Sequence, residues 1–467
     1  MMLSSSSISK KVCVVGAGVS GLASARELRR EGHQVTVMEQ SGGVGGQWLY
    51  APTPDGGDPL GGAGVHSSVY SSVRLISPRE LTCFSDFPFY PTRSDGDPRR
   101  YPRHAEFLSY IRDFCDAFGL MDAVRLHTKV LHVGLADDDD GRSWVVRYTE
   151  KQKQGDQEDE DVVVTEEVFD AVVVAVGQGT QPRLPTIKGM DGWKRRQLHS
   201  HSYRVPDSFH GEVVVVVGFG VSGMDIALEL SEVAREVHVS VKSTEAVAPG
   251  ASKALSRHHN LHLHLQIDRL VDDGQVVFAD GSCVVADSII YCTGYDYLFP
   301  FLDTAGLVAV DDNRVGPLFD HTFPPSLAPS LSFVGLPRLV MLPRFFEAQA
   351  RWVAQVLSGR RSLPSPEEMT RSAEEYNAAR EAAGVPRRLS HAIFFDWDYC
   401  DAFGEKHCGF PRIEEWKKEL GRAAIARFRE DTETFRDDDY HDSELVREGL
   451  SSEGWLPQAR TPEGKEG

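Results

Sequence analysis

Two glycine-rich turns of identical spacing constrain the fold of this chain more than any other feature. They are Gly16-Ala-Gly18-Val-Ser-Gly21 and Gly218-Phe-Gly220-Val-Ser-Gly223. Each follows a short apolar run typical of a buried parallel strand and opens a stretch with helical spacing. In this context the first glycine permits a tight turn, the second lets backbone N–H groups approach a pyrophosphate, and the third lets helix and strand pack closely. The pattern therefore predicts two Rossmann-like folds that each bind a dinucleotide.

The residues that follow the second strand of each unit differ in charge. Glu39 follows the run 34–38, where a carboxylate accepts hydrogen bonds from ribose hydroxyls and repels a 2′-phosphate. Lys242 follows the run 236–241, where a cation suits a 2′-phosphate. We therefore expect FAD at the first turn and NADPH at the second, as in a flavoprotein with two dinucleotides. The turn residues are all candidate cofactor-binding residues: Gly16, Ala17, Gly18, Val19, Ser20, Gly21, Gly218, Phe219, Gly220, Val221, Ser222 and Gly223.

The order of these units predicts an α/β chain with an NADPH-binding domain inserted into an FAD-binding domain. Buried strands that end near glycine at 169–177 and 288–295 mark the expected crossings between the domains. We expect residues 1–177 to form the first part of the FAD domain and 178–321 the NADPH domain. Residues 322–467 would complete the FAD domain, and helical spacing there predicts a C-terminal helical cover.

Composition excludes several classes of partner. The chain has 50 basic and 69 acidic side chains, so its net charge of −19 repels nucleic acid and anionic lipid. Its apolar runs are far shorter than the ~20 residues of a membrane-spanning helix. The first residues lack the apolar centre of a secretory signal, and the 7 cysteines include no C-x-x-C pair. We expect a cytoplasmic protein with reduced, mostly buried thiols and without a redox-active cysteine pair.

Further motifs extend over nearly the whole chain. They are Gly45-Gly-Gln-Trp48, the stretch from Trp193 to Arg204, Tyr291-Cys-Thr-Gly-Tyr295, Leu331 to Pro337, Pro343 to Gln349, Tyr399 to Glu405 and Gly409 to Trp416. Together they resemble the flavin-containing monooxygenase family, in particular its plant S-oxygenating (glucosinolate S-oxygenase-like) type. The resemblance implies further cofactor-binding positions: Gly46, Gln47, Trp48, Val130 and Gln349.

The resemblance also implies an activity. NADPH would reduce FAD, dioxygen would add at flavin C4a, and a thioether sulfur or amine nitrogen of a small molecule would then be oxygenated. The chemistry would belong mostly to the cofactor, so we expect neither a catalytic triad nor a metal site. The resemblance leaves the oligomeric state open between a monomer and a homodimer.

Two departures from the family pattern bear on this prediction. Trp193 and Arg195 replace the usual Phe and Gly, a change that we expect a surface-crossing segment to tolerate. Ile76 stands where the family carries a flavin-facing Asn, and an alkyl group neither donates nor accepts a hydrogen bond. We therefore keep an uncoupled NADPH oxidase that releases hydrogen peroxide, and a non-catalytic FAD- and NADPH-binding protein, as alternatives. A disulfide reductase is disfavoured because the cysteine pair is missing.

Histidines outside these motifs give a weaker signal. His258, His259, His262 and His264 lie close in sequence, but with no cysteine and with Asp268 as the single nearby carboxylate we expect solvated side chains and no metal. His199 and His201 could contact the nicotinamide nucleotide or serve the linker structurally; the sequence leaves both open.

Overall fold

The computed structural model describes residues 8–53, 58–61, 66–91, 96–137, 143–150, 163–179, 181–245, 247–437 and 442–455. The strands are β1 Lys11–Val15, β2 Gln34–Met38, β3 Val124–Arg125, β4 Thr128–Leu135, β5 Trp144–Glu150, β6 Val164–Phe169, β7 Ala171–Val174, β8 Gln181–Pro182, β9 Arg196–His199, β10 Val213–Val217, β11 Glu236–Val241, β12 Leu261–Leu265, β13 Ile267–Leu270, β14 Gln275–Phe278, β15 Cys283–Val285, β16 Ser288–Tyr291, β17 Tyr295–Asp296, β18 Ala309–Asp311, β19 Arg314–Gly316 and β20 Leu331–Phe333. The α-helices are α1 Val19–Arg30, α2 His104–Ala117, α3 Val221–Ser231, α4 Pro249–Arg257, α5 Arg344–Leu357, α6 Pro366–Ala382, α7 Trp397–Cys408, α8 Glu415–Glu430 and α9 Glu444–Ser452.

A parallel five-stranded sheet, in the order β20-β7-β1-β2-β3, forms the first nucleotide-binding unit. Its central strand β1 is nearly continuous in apolar residues because helices and loops cover both faces of the sheet. The sheet takes its strands from both ends of the chain, since β20 pairs with β7. The polypeptide therefore leaves this unit and returns to it.

The second parallel sheet has the order β12-β11-β10-β16-β9 and lies between β7 and β20 in sequence. The short antiparallel pair β8 and β17 joins the segments that enter and leave it. Beyond β17, Tyr297, Val315 and Leu318 pack in one cluster with Cys13 and Val15 of the first sheet. The predicted α/β class with two Rossmann-like units is confirmed.

Antiparallel strands flank both units. The run Trp144 to Tyr148, set between polar stretches, predicts a hairpin, and β4, β5 and β6 form one antiparallel sheet there. The polar, largely acidic stretch 152–161, which we expect to be a solvated tip of this hairpin, lies outside the described residues. β13, β14 and β15 form a second small sheet, beside the parallel sheet of the second unit.

The C-terminal helices complete the fold. α5 packs against α1, and a buried ion cluster joins the two: Arg26 donates to Glu347 at 2.5 Å, and both side chains are at most 1% exposed. Ser365 begins α6 with a reciprocal capping box to Glu368. Helices α6 to α9 follow, so the predicted helical cover is confirmed.

The structure corrects one reading of the sequence. Trp193, expected in a surface-crossing segment, is 3% exposed and packs with Val213 and Ile289 beneath the second sheet. Its neighbour Arg195 donates to the backbone oxygens of Ala286 and Asp273. The two residues therefore serve packing, because an indole fills a core position that a surface segment would not offer.

Two expectations about cysteines and membranes can also be compared with the fold. All 7 cysteines are free, and Cys13, Cys83, Cys115 and Cys408 are buried, as predicted. Burial raises the pKa of the Cys83 thiol to about 12, so the group stays protonated. Within the part of the chain that the structure describes, no helix is both long and apolar enough to cross a membrane.

Candidate functional site

The first glycine turn joins β1 to α1 through a backbone that side chains would obstruct. Gly16 has a φ of 101°, and a Cβ there would lie 2.7 Å from the Ala175 oxygen. A Cβ on Gly21 would lie 1.8 Å from the Gly16 oxygen. Gly18 caps α1 with extended backbone, and the first N–H groups of a helix lack intrahelical acceptors. The turn thus presents an open helix N-terminus of the kind that binds a pyrophosphate.

Glu39 is the acidic residue at the end of β2 and is 5% exposed. Its Oε2 accepts a hydrogen bond from the Ala17 backbone N–H at 2.8 Å, and its Oε1 accepts from the Ser41 N–H at 2.8 Å and hydroxyl at 2.7 Å. These donors fix the carboxylate beside the turn. A carboxylate offers about four acceptor positions, so capacity remains at Oε2 for a ribose hydroxyl.

The motif at 45–48 lies across this turn. Gly45 donates its N–H to the Ala17 oxygen at 3.0 Å, and a Cβ on Gly46 would lie 2.9 Å from the Gly18 Cα. Gln47 is exposed. Trp48 is half-buried and packs edge-on against Phe107 with ring centroids 4.7 Å apart. The glycines are needed because two backbones meet here without room for side chains.

Gln349 lies on α5 and is fully buried. Its Nε2 donates to the Thr322 hydroxyl at 2.9 Å, and its Oε1 accepts from the Gly335 N–H at 3.2 Å. Gly335 in turn lies so close to α1 that a Cβ would be 2.7 Å from the Ser20 Cβ. Because both ends of the amide are bonded within the protein, Gln349 acts on the first turn through the position of Gly335.

Val130 lies on a strand that is hydrogen-bonded to Glu39, whereas Ile76 lies on a separate loop. Val130 is half-buried on β4, two residues beyond Thr128. The backbone N–H of Thr128 donates to the backbone oxygen of Glu39 at 2.8 Å. Ile76 is 44% exposed, and its alkyl side chain follows Leu75, whose N–H donates to the Pro102 oxygen at 3.0 Å. The sequence-predicted residues around the first turn therefore converge from β2, β4, α1 and α5, while Ile76 lies on a separate loop.

The second glycine turn repeats the backbone geometry of the first. Gly218 has a φ of 97°, and a Cβ there would lie 2.6 Å from the Cys292 oxygen. A Cβ on Gly223 would lie 2.1 Å from the Gly218 oxygen. Gly220 caps α3 with extended backbone, and a Cβ on it would meet no described protein atom within 4 Å. The two turns share one physical design.

The two turns differ in exposure and charge. Gly220 and Val221 are exposed, whereas the matching residues of the first turn, Gly18 and Val19, are half-buried. Lys242 follows β11 and is exposed. It forms no ion pair with any residue that the structure describes, so its ammonium group is available to an anion. The first cradle is enclosed and acidic, and the second is open and basic.

The linker with the two predicted histidines is tightly packed. His199 is fully buried at the end of β9 and its Nδ1 accepts from the His201 backbone N–H at 3.1 Å. Burial, with His201 nearby, lowers the pKa of His199 to about 4, so its imidazole is neutral near pH 7. Arg204 donates to the oxygens of Ala51 and Ser67, which ties the linker to the first unit. These contacts favour the structural role over nucleotide contact.

Sequence reasoning missed a C-terminal strap, defined here as residues 431–437, which bridges the two units. Arg436 forms two hydrogen bonds with the carboxylate of Asp225 on α3, at 3.0 and 2.8 Å. Its Nε donates to the Leu75 oxygen at 3.1 Å. At the other end, Asp431 accepts from both Arg257 amino groups, at 3.0 and 2.6 Å. The strap thus fixes the second unit beside the loop that carries Ile76.

Comparisons with known proteins show which family this chain is similar to. The family model described as flavin-binding monooxygenase-like matches residues 9–255 and 259–405. The flavin-containing monooxygenases FMO GS-OX-like 9 and GS-OX-like 8 of Arabidopsis thaliana are 53% and 54% identical over 457 and 450 residues, with 96% and 95% of each chain covered. The structure of S-allyl-L-cysteine S-oxygenase from Allium sativum is similar at a TM-score of 0.86 and 41% identity, covering 97% of this chain and 100% of that one.

Proposed function

Because this chain belongs to the flavin-binding monooxygenase-like family of flavin-dependent oxidoreductases, we propose that it uses NADPH and dioxygen to oxygenate the sulfur atom of a small-molecule thioether. One observation carries the proposal: two glycine turns of matching geometry are followed by opposite charges, Glu39 and Lys242. A fold with two such cradles suits the transfer of reducing equivalents from a phosphorylated nicotinamide nucleotide to a flavin.

FAD fits the first cradle. The turn from Gly16 to Gly18 leads into the N-terminus of α1, where a pyrophosphate would accept from backbone N–H groups, and Glu39 is held by three donors in position to accept from a ribose hydroxyl. The segment of Gly46 to Trp48 lies across the turn and would shield the bound group from solvent. FAD would supply the redox chemistry and the activation of dioxygen. We therefore assign flavin binding to the turn Gly16 to Gly21, to Glu39 and to the segment Gly46 to Trp48. Val130 and Gln349 would support this site from neighbouring segments.

NADPH fits the second cradle. Gly220 leaves open space at the N-terminus of α3, and the exposed Lys242 would attract the 2′-phosphate. The open setting suits a cosubstrate that must bind and leave, whereas the enclosed first cradle suits a group that stays. The sequence predicts the domain division 1–177, 178–321 and 322–467. We propose this division with one change: the chain returns to the FAD domain at Tyr295–Asp296, earlier than residue 322. The packing of Tyr297 with Cys13 supports that earlier return.

Sulfur is favoured over nitrogen as the oxygenated atom. The similar enzyme from Allium sativum acts on S-allyl-L-cysteine, as its name states, and its likeness spans nearly the whole chain. An uncharged thioether keeps its nucleophilic lone pair at neutral pH, whereas most aliphatic amines are protonated. We propose a thioether substrate, with amines as the class to be excluded by experiment.

Ile76 favours one second candidate, an NADPH oxidase that releases peroxide. Its alkyl side chain cannot hydrogen-bond to an oxygenated cofactor, as the Asn of the family pattern could. The test measures NADPH consumed, peroxide formed and sulfoxide formed with S-allyl-L-cysteine, with a tertiary amine, and without substrate. The proposal predicts one sulfoxide per NADPH and little peroxide when the thioether is present. Equal amounts of NADPH and peroxide under all three conditions would instead establish the oxidase.

An Ile76→Asn variant sharpens this test, with Ile76→Val as the control of similar shape. If the missing amide limits coupling, the Asn variant will lower the peroxide fraction by several-fold and the Val variant will leave it unchanged. Equal peroxide fractions in all three proteins would show that Ile76 plays no part in coupling.

A further inference from the structure

A cluster of imidazole and carboxylate groups lies on the outer strands of the second sheet. β11 and β12 pair in parallel with His238 opposite His262 and Ser240 opposite His264. Side chains two residues apart on a strand share a face, so Glu236 and His238 of β11 lie on the same face as His262 and His264 of β12. Sequence reasoning expected solvated histidines. That holds for the exposed His259 but not for His258, His262 and His264, which are half-buried.

We propose that Glu236, His238 and His262 bind one divalent transition-metal ion of the zinc type. A carboxylate oxygen and one ring nitrogen from each histidine all lie within 4.8 Å of one another. Glu236 Oε2 and His238 Nε2 are 3.1 Å apart. Ligands about 2.0–2.2 Å from a tetrahedral ion are separated by about 3.4 Å, so small side-chain movements close the site. Two imidazoles and one carboxylate form a ligand set that zinc commonly takes.

The hydrogen bonds behind His238 orient it for this role. His238 Nδ1 lies 2.9 Å from His264 Nε2, and His264 Nδ1 lies 3.2 Å from the Ser282 hydroxyl. Ser282 has a single hydroxyl hydrogen and donates it to Asp280 at 2.5 Å. The Ser282 oxygen must therefore accept from His264 Nδ1–H. A neutral His264 then accepts at Nε2 from His238 Nδ1–H, the pattern in which metal-binding histidines donate their second nitrogen to a supporting group.

The same hydrogen-bond pattern requires a cation, either a proton or a metal ion, between His238 Nε2 and the Glu236 carboxylate. With Nδ1 of His238 donating, its Nε2 either is protonated and donates to the Glu236 carboxylate at 3.1 Å, or carries a lone pair that faces that carboxylate. Two acceptors at this distance repel each other unless a cation lies between them. The His262 ring stacks on His238 with centroids 4.9 Å apart, which brings another ring nitrogen to the same position. A metal ion would bind Glu236, His238 and His262 together, whereas a proton would be shared by Glu236 and His238 alone.

The position of the cluster indicates a structural ion rather than a catalytic one. Glu236 is the first residue of β11, whereas Lys242 and the second glycine turn follow the opposite, carboxyl ends of the strands. The Glu236 side chain is 44% exposed, which gives an ion access from solvent. The ion would link the edge strand β12 to β11. We expect it to stabilise the second unit and to leave NADPH binding unchanged.

The experiment uses the full-length, FAD-loaded protein after treatment with a chelator. Zinc chloride is titrated calorimetrically, zinc content is measured after dialysis, and thermal unfolding is recorded with and without zinc. We expect one equivalent bound and a higher unfolding midpoint with zinc. His262→Gln should weaken binding at least tenfold and abolish the rise in midpoint, while the control His259→Gln should change neither.

Ser282→Ala provides a milder variant, since it removes support for His264 without removing a ligand. It should weaken zinc binding by less than His262→Gln does. Flavin content and circular dichroism establish that each variant is folded. The proposal is overturned if the parent protein takes up no stoichiometric zinc, or if His262→Gln binds zinc as the parent does. Equal losses in the His259 and His262 variants would also overturn it, because they would indicate adventitious surface binding.

Discussion

Replacing Gly220 with alanine separates the nucleotide-binding role of the second turn from its structural role. A Cβ at this position meets no described protein atom within 4 Å, and the backbone, with φ −75° and ψ −171°, is one that alanine adopts. At Gly223, by contrast, a Cβ would lie 2.1 Å from the Gly218 oxygen and 3.2 Å from the Cys292 Cβ. The same methyl group is therefore tolerated by the protein at one glycine and rejected at the other.

The expected magnitudes differ accordingly. In Gly220→Ala, the loss of unfolded-state entropy favours folding by about 0.4–1 kcal/mol, and the weaker helix cap costs a similar amount. The free energy of unfolding should thus change by less than about 1 kcal/mol. The methyl group would hold a phosphate oxygen away from the helix N-terminus, and loss of one charge-assisted hydrogen bond costs about 1.5–3 kcal/mol. NADPH should then bind roughly 10- to 150-fold more weakly.

The assay pairs calorimetric binding of NADP⁺ with thermal unfolding followed by flavin fluorescence. Gly220→Ala should lose affinity and keep its unfolding midpoint. Gly223→Ala should lower the midpoint as well, because α3 must move to relieve overpacking that costs about 1–3 kcal/mol. Unchanged NADP⁺ affinity in Gly220→Ala would refute the assignment of this turn to the nucleotide. If the unfolding midpoint of Gly220→Ala were as low as that of Gly223→Ala, the inference that the protein has room for a methyl group at position 220 would be refuted.

Three other changes test neighbouring parts of the site. Lys242→Glu should raise the KM for NADPH at least tenfold and leave the KM for NADH nearly unchanged, because it sets a carboxylate against the 2′-phosphate. As a control, Lys194→Glu at an exposed position alters the net charge equally and should have no effect. Equal KM values for NADPH in the parent and in Lys242→Glu would contradict the assigned site. Glu39→Gln replaces one carboxylate oxygen with an amide N–H donor, which would face either the Ala17 N–H or the Ser41 donors, and should reduce retained FAD at least tenfold after dialysis; full retention would argue against a ribose contact. Hydrogen bonds from Arg257 hold the pKa of Asp431 well below its ordinary value, so this carboxylate stabilises the fold above about pH 4 and loses its contribution as the pH falls further. Asp431→Asn should therefore lower the unfolding midpoint at pH 7, with a difference from the parent that shrinks in acid; a difference independent of pH would contradict an ionic strap.

Much of the nucleotide-binding architecture could be predicted from local sequence. The turns at Gly16 and Gly218 require φ values of 101° and 97°, which glycine adopts readily, so the residues themselves report the backbone. The stretch with helical spacing that follows the first turn is α1, from Val19 to Arg30. These predictions succeeded because each depends on residues that are neighbours in the chain.

Two predictions failed for a different reason: Trp193 was expected near the surface, and the strap at residues 431–437 was not expected at all. An indole is compatible with a surface or a core, and the sheet that buries Trp193 is assembled from strands far away in sequence. Likewise, neither Arg436 nor Asp225 carries a signal that they pair, because more than two hundred residues separate them. Gln349 could be predicted to lie near the flavin site by resemblance, but its bonds to Thr322 and Gly335 could not.

The sequence by itself determined the two glycine turns of the Rossmann-like units and the charge that follows each, because a glycine conformation and the end of a strand are local properties. The tertiary structure alone decided which distant side chains meet. Parallel pairing of β11 with β12 brings His238 beside His262, and the strap sets Arg436 on Asp225. Such contacts depend on strand register and on the closing of long loops, and no short segment of the chain encodes either.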